Sequence, residues 1–110
     1  MTFDIRLKTS LLVSAEIRRC EGMFINAVVL HRGDEERGLI LIMKSVPSKG
    51  AKLYAQNRDE SDDLIWFQPL GEEWIDSKKA DQYIARQRKF DEDLWVIEIE
   101  DAKDVYSPQF

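Results

Sequence analysis

Between Gly38 and Pro47 the chain runs LILIMKSV, with apolar side chains on every position from Leu39 to Met43. Successive residues of a strand point to opposite faces, so a strand with one wet face alternates. This one does not alternate. It must be covered on both faces or lie at the centre of a sheet. The run FINAVVLHR (24–32) has the same character. A polar loop, GDEERG, separates the two runs, and its bracketing glycines suit an antiparallel return.

The remaining elements follow from start and stop signals. Thr9 or Ser10 caps a first helix that runs to about Glu21, with Gly22 as its stop. Leu12, Ala15 and Arg19 lie on one stripe of it and Val13, Ile17 and Cys20 on another, which sends Glu16 and Arg18 toward water. Pro47, Ser48 and Gly50 turn the chain into AKLYAQ (51–56), whose alternation marks a half-exposed strand. LIWFQ (64–68) is a further strand, closed by Pro69 and Gly71. A second helix spans DSKKADQYIARQRKF, capped by Asp76 or Ser77, with Ala80, Tyr83, Ile84 and Gln87 on one face. Arg86, Arg88 and Lys89 complement the dipole at its C-terminal end. LWVIEIE (94–100) is the last strand, and 102–110 reads as a loose tail anchored at most by Tyr106 or Phe110.

The order is therefore α-β-β-β-β-α-β. Short loops between strands imply an α+β fold: one domain over 1–110, with a largely antiparallel sheet of about five strands and two helices packed on one face. A chain of 110 residues is near the commonest domain size.

Charge and cysteine use limit the function. A net charge of −5 argues against a nonspecific nucleic-acid track, which must neutralise phosphates. Cys20 stands alone, which rules out an intrachain disulfide and favours a reducing compartment. Neither a secretory leader nor a stretch of ~20 apolar residues is visible, so the expected setting is the cytoplasm, away from membranes.

The segment KFDEDLWVIEIED (89–101) carries six acids. Glu98 and Glu100, two apart on a strand, sit about 6.6–7 Å apart on one face. That spacing occurs in inverting glycosidases and could bridge a metal, but the companions such chemistry needs are missing. The pair reads as a solvated face, balanced by Lys44 or Lys52 across the sheet. Asp91 and Asp93 read as turn formers. In NRDESDD (57–63) an EF-hand register fails, because Asp62 stands where glycine belongs and Gln68 where glutamate does. Cys20 and His31 are a conceivable nucleophile pair, but the cysteine falls on an apolar helix face where thiols are inert. Neither a phosphate-binding glycine loop nor a nucleophile elbow is present. No catalytic residue, metal ligand or cofactor is assigned.

Aromatic residues and arginines remain. Trp66, Trp74 and Trp95 are many for so small a domain, and Trp with Arg anchors protein interfaces. A strand such as 94–100, were it at a sheet edge, could pair with a second copy. The leading expectation is a non-enzymatic module that forms a homodimer or binds another protein. The alternative is a small-ligand binder or enzyme whose Arg–carboxylate pocket draws on Arg18, Arg19 or Arg86 with Asp93 and Glu98, beside Trp95.

The strings RKFDEDLWVIEIED, SAEIRRC and VVLHRGD…GLILIMKS resemble a family of short alphaproteobacterial proteins known as a domain of unknown function, DUF1491. The resemblance covers nearly the whole chain in order; relatives commonly have proline where this chain has Glu92. It implies a bacterial cytoplasmic protein of one domain and transfers no activity.

Overall fold

The computed structural model describes residues 7–110; the first six residues of the expected 1–110 domain lie outside them. The elements are α1 (Thr9–Gly22), β1 (Asn26–His31), β2 (Ile40–Val46), β3 (Gly50–Arg58), β4 (Leu64–Phe67), α2 (Ser77–Phe90) and β5 (Trp95–Glu100). This is the expected α+β order. The strands form one sheet in the order β1-β5-β2-β3-β4. Three pairings are antiparallel, and β2 with β5 is parallel. That parallel pair is possible because α2 lies between β4 and β5 and returns the chain across the sheet. The last strand in sequence thus sits inside the sheet, not at its edge. The edge position considered for 94–100 belongs to β1 instead.

Two cores flank the sheet. On one face, Ile40 and Ile42 of β2 and Trp95, Ile97 and Ile99 of β5 pack with Val13 and Cys20 of α1. On the other, Leu41, Met43, Leu94 and Val96 pack with Ala80 and Ile84 of α2. The helices therefore cover opposite faces, which corrects the expectation of both on one. The reason lies in the unbroken apolar run: each face of β2 needs its own cover. Leaving one face wet would forgo roughly 1.5–3 kcal/mol for every Leu or Ile it carries.

The loop from β1 to β2 folds around Trp95. The indole Nε1 donates to Asp34 O at 2.7 Å, and Asp34 N donates to Asp93 O at 3.0 Å. Gly33 and Gly38 are glycines because nothing larger fits. A Cβ on Gly33 would lie 2.1 Å from Asp93 O, and one on Gly38 would lie 2.8 Å from Trp95 Cδ1.

Helix starts differ in their caps. Asp76 caps α2, its carboxylate accepting from Lys78 N at 2.8 Å. At α1, Lys8 occupies the N-cap and makes no side-chain cap bond. Thr9 instead donates through Oγ1 to Gly38 O at 2.9 Å, tying the helix to the β1–β2 loop.

Two further expectations are corrected together. Glu16 does not face water: it is 4% exposed. Nor is 102–110 a loose tail. Tyr106 is buried and donates its hydroxyl to Glu16 Oε2 at 2.8 Å. Arg19 holds the same carboxylate and donates to Ser107 O at 2.8 Å. Asp101, 1% exposed, accepts from Val105 N and Tyr106 N at 2.8 and 2.7 Å through Oδ2. Lys44 Nζ donates to Tyr106 O at 2.9 Å and is ion-paired with Asp101 and Asp104. Trp66 Nε1 donates to Phe110 O. The terminal segment is a strap across the α1 side of the sheet. Its buried charges are tolerable because each has a partner.

Two substitutions test this arrangement by urea denaturation. Gly33→Ala forces backbone out of the Trp95 loop and is expected to lower stability by about 1–3 kcal/mol, the usual cost of overpacking. Tyr106→Phe keeps the ring but leaves Glu16 short of a donor, an expected loss of about 1–3 kcal/mol.

Candidate functional site

The side chains proposed for an Arg–carboxylate pocket do not converge. Arg18 and Arg19 belong to α1, the former exposed and the latter bound to Glu16. Arg86 is exposed on α2, across the sheet from them. Asp93 is exposed in the turn before β5, where its amide donates to Asp91 Oδ1 at 3.0 Å. That is turn chemistry, as the sequence implied for Asp91. Trp95 is buried on the α1 side, with the Arg32 guanidinium 5.1 Å from its ring centre.

Glu98 and Glu100 lie on the α2 face, alternating with the α1-facing Ile97 and Ile99. Lys44 pairs in register with Ile99 and has its partners in the strap, on the other face. Lys52 alternates with Leu53 and lies 4.4 Å from the Trp74 ring centre. The expected balance of the two glutamates by Lys44 or Lys52 is therefore not made. A sheet puts i and i+1 on opposite sides, and these charges have opposite parity.

Cys20 and His31 are likewise separated. The thiol is fully buried in the α1 core, and burial first, then Glu16, pushes it up to about 11. His31 donates through Nδ1 to Leu94 O at 2.7 Å and pairs with Val96 on the α2 side. Among the described residues, no three His, Cys, Asp or Glu side chains sit together to hold a metal ion. In the acidic loop, Asp59 Oδ1 accepts from Ser61 N and Asp63 N at 2.9 and 3.0 Å, so it closes its own turn.

The residues that sequence reasoning missed are the buried ions beneath the strap. Lys44 and Lys49 hold the Asp104 carboxyl down to about 2. Lys44, Lys49 and Lys52 also surround Trp74, within 5.7 Å of its ring centre. The contacts to Asp104 fasten the strap. One signal was present: a lysine inside an apolar run covered on both sides requires a buried partner.

A cavity of about 630 Å³ opens beside the start of α1, near Lys8, Arg37 and Arg58. Among the described residues it offers no vacant anion cradle. Its cations face Glu36, Asp62 and Asp63, and the amides of Thr9 and Ser10 already donate to Glu36 O and Glu35 O.

The other notable surface is the α2 face of β1 and β5. The helix covers β2 and β3 and leaves β1 bare. Val28 and Leu30 are 40% and 48% exposed, and among the described residues β1 has no strand neighbour on its outer side. A register shift between Val29 and His31 brings His31 opposite Val96. An open depression of about 610 Å³ follows, lined by His31, Ala85, Arg88, Lys89 and Glu92. At the opposite end of β1, Asn26 pairs with Glu100 and donates to its carboxylate at 3.1 Å. Asp81 adds to the negative field on Glu98, which pairs with Val28. The β1 part of this surface is apolar at Val28 and Leu30, with acids beside it at Glu98 and Glu100 and mainly bases beyond His31.

A family described as "Protein of unknown function (DUF1491)" matches residues 7–106. The chain is similar to the crystal structure of a DUF1491 family protein from Caulobacter crescentus CB15, with a TM-score of 0.76 and 32% identity over 87% of this chain and 89% of that one. An NMR structure of a DUF1491 family protein from the same organism gives 0.81 and 30%, over 91% and 90%. The solution structure of protein Atu0922 from A. tumefaciens gives 0.76 and 27%, over 96% and 100%. Among curated proteins none matches. No described helix is long and apolar enough to cross a membrane.

Glu98 provides a pH test of the acidic end. Its pKa is raised by burial first, then by Glu100 and Asp81. A raised carboxyl favours the protonated fold, so wild-type stability falls as pH rises from the unfolded value near ~4.3 through the folded one. Glu98→Gln escapes that loss. The variant is expected to be more stable than wild type at pH 7, the gap closing below about pH 4, in urea melts at both values.

Proposed function

We propose that this chain, which belongs to the DUF1491 family of unknown function, works by protein association through β1, in the cytoplasm and without catalysis. The observation that carries this reading is the edge of β1, unpaired among the described residues, with Val28 and Leu30 exposed beside it. An unpaired strand presents a row of backbone donors and acceptors, and neighbouring apolar side chains add affinity when covered. The other edge, β4, also exposes apolar side chains, at Leu64, Ile65 and Phe67, but offers a shorter ladder. It is four residues long and lies between an acidic loop and Pro69. The scattered positions of Arg18, Arg86, Asp93 and Glu98 support association over a ligand pocket.

Light scattering on protein purified from its native cell tests the reading. The expected particle exceeds 12.9 kDa, as an oligomer or with a copurified protein. Val28→Lys with Leu30→Lys is expected to reduce it to the 12.9 kDa monomer while leaving the circular dichroism spectrum unchanged. A wild-type chain that is monomeric and retains no partner would overturn the proposal.

A further inference from the structure

We infer that the occupant of the β1 edge is a second copy of this chain, related by a two-fold axis that pairs the two β1 strands antiparallel. The inference rests on the association reading above and names its partner. Its ground is the charge pattern along the strand. Glu100 marks the end near Asn26, Glu98 beside Asp81 lies opposite Val28, and Arg88 and Lys89 mark the end near His31. A two-fold axis near Val28 sets the Asn26 end of each copy against the His31 end of the other, so acids meet bases twice. Parallel pairing would instead set Glu100 against Glu100, and like charges placed opposite are destabilising. A different protein would need this pattern in reverse, and the chain itself supplies it.

The same axis joins Val28 to Val28 and covers the apolar centre from both sides. The antiparallel ladder extends the sheet from five strands to ten across the new interface. The face beside β1 that α2 leaves open is continuous across the axis. Each copy carries a net charge of −5, so the local complementarity must offset a general repulsion.

Charge reversal in complementary pairs tests the arrangement. One variant carries Arg88→Glu and Lys89→Glu, the other Asp81→Lys and Glu100→Lys; all four positions are exposed. Wild type is expected at twice 12.9 kDa by light scattering. Each variant alone opposes like charges and is expected to dimerise at least about tenfold more weakly. An equimolar mixture restores opposite signs at both contacts and is expected to return to twice 12.9 kDa. Circular dichroism of each variant checks that it is folded, and a folded variant that dimerises as wild type does overturns the inference. Failure of the mixture to reassociate overturns the antiparallel placement. A monomeric wild type that binds another protein through Val28 and Leu30 removes the second copy and leaves the association reading standing.

Discussion

Everything in this molecule is arranged around the need to keep water from both faces of β2 and β5. Ile40, Ile42, Ile97 and Ile99 point to α1, and Leu41, Met43 and Val96 point to α2. Neither helix can be spared, since each faces a core that the other cannot reach. The helices and the two central strands form a three-layer sandwich, and β1, β3 and β4 are its margins. Because α2 sits over β2 and β3, the cover on its side ends before β1. The exposed apolar strip is a direct result of where that helix lies.

The α1 side closes differently. One helix and the strap share that face, and the strap is fixed mostly by polar contacts. Glu16, Lys44 and Asp101 are all ionisable and almost fully buried. Such groups stabilise only while their partners stay in place, since an unpaired charge in a core costs several kcal/mol. Apolar packing would be less demanding but also less directional. Here the ions fix where Tyr106 sits, and Tyr106 completes the core over Ile97 and Ile99. Asp101 Oδ1 remains without a hydrogen-bond partner, a small loss inside an otherwise satisfied network.

Much of this was legible in the sequence, because the signals were local. The run 39–43 announced two-sided burial, Asp76 announced the start of α2, and turn residues separated the strands. The side on which each helix packs was not legible, since periodicity reports a face but not its address. The ions escaped for a related reason. Charged residues default to the surface, and the Glu16–Tyr106 bond joins positions 90 apart in the chain. Lys44 was the exception, a charge embedded in an apolar run. The site hypothesis failed on parity. A pocket would need Arg18 beside Arg86 and Glu98, yet the sheet separates Arg18 from the other two.

The position of β5 has a bearing on how the chain is made. β1 and β2 are neighbours in sequence, but the space between them is filled by β5, the fifth of the described strands in chain order. A hairpin of β1 with β2 would be quick to form and wrong, since it would occupy that slot. The nascent chain must hold the gap open until Trp95–Glu100 emerges, with the apolar flanks of β2 meanwhile unprotected. Gly33, Gly38 and the loop that wraps Trp95 keep β1 and β2 apart only once that tryptophan has arrived. Emergence of β5 is thus a condition for β1 to join the other strands. A chain cut before β5 would leave β1 without its partner and expose both apolar faces of β2.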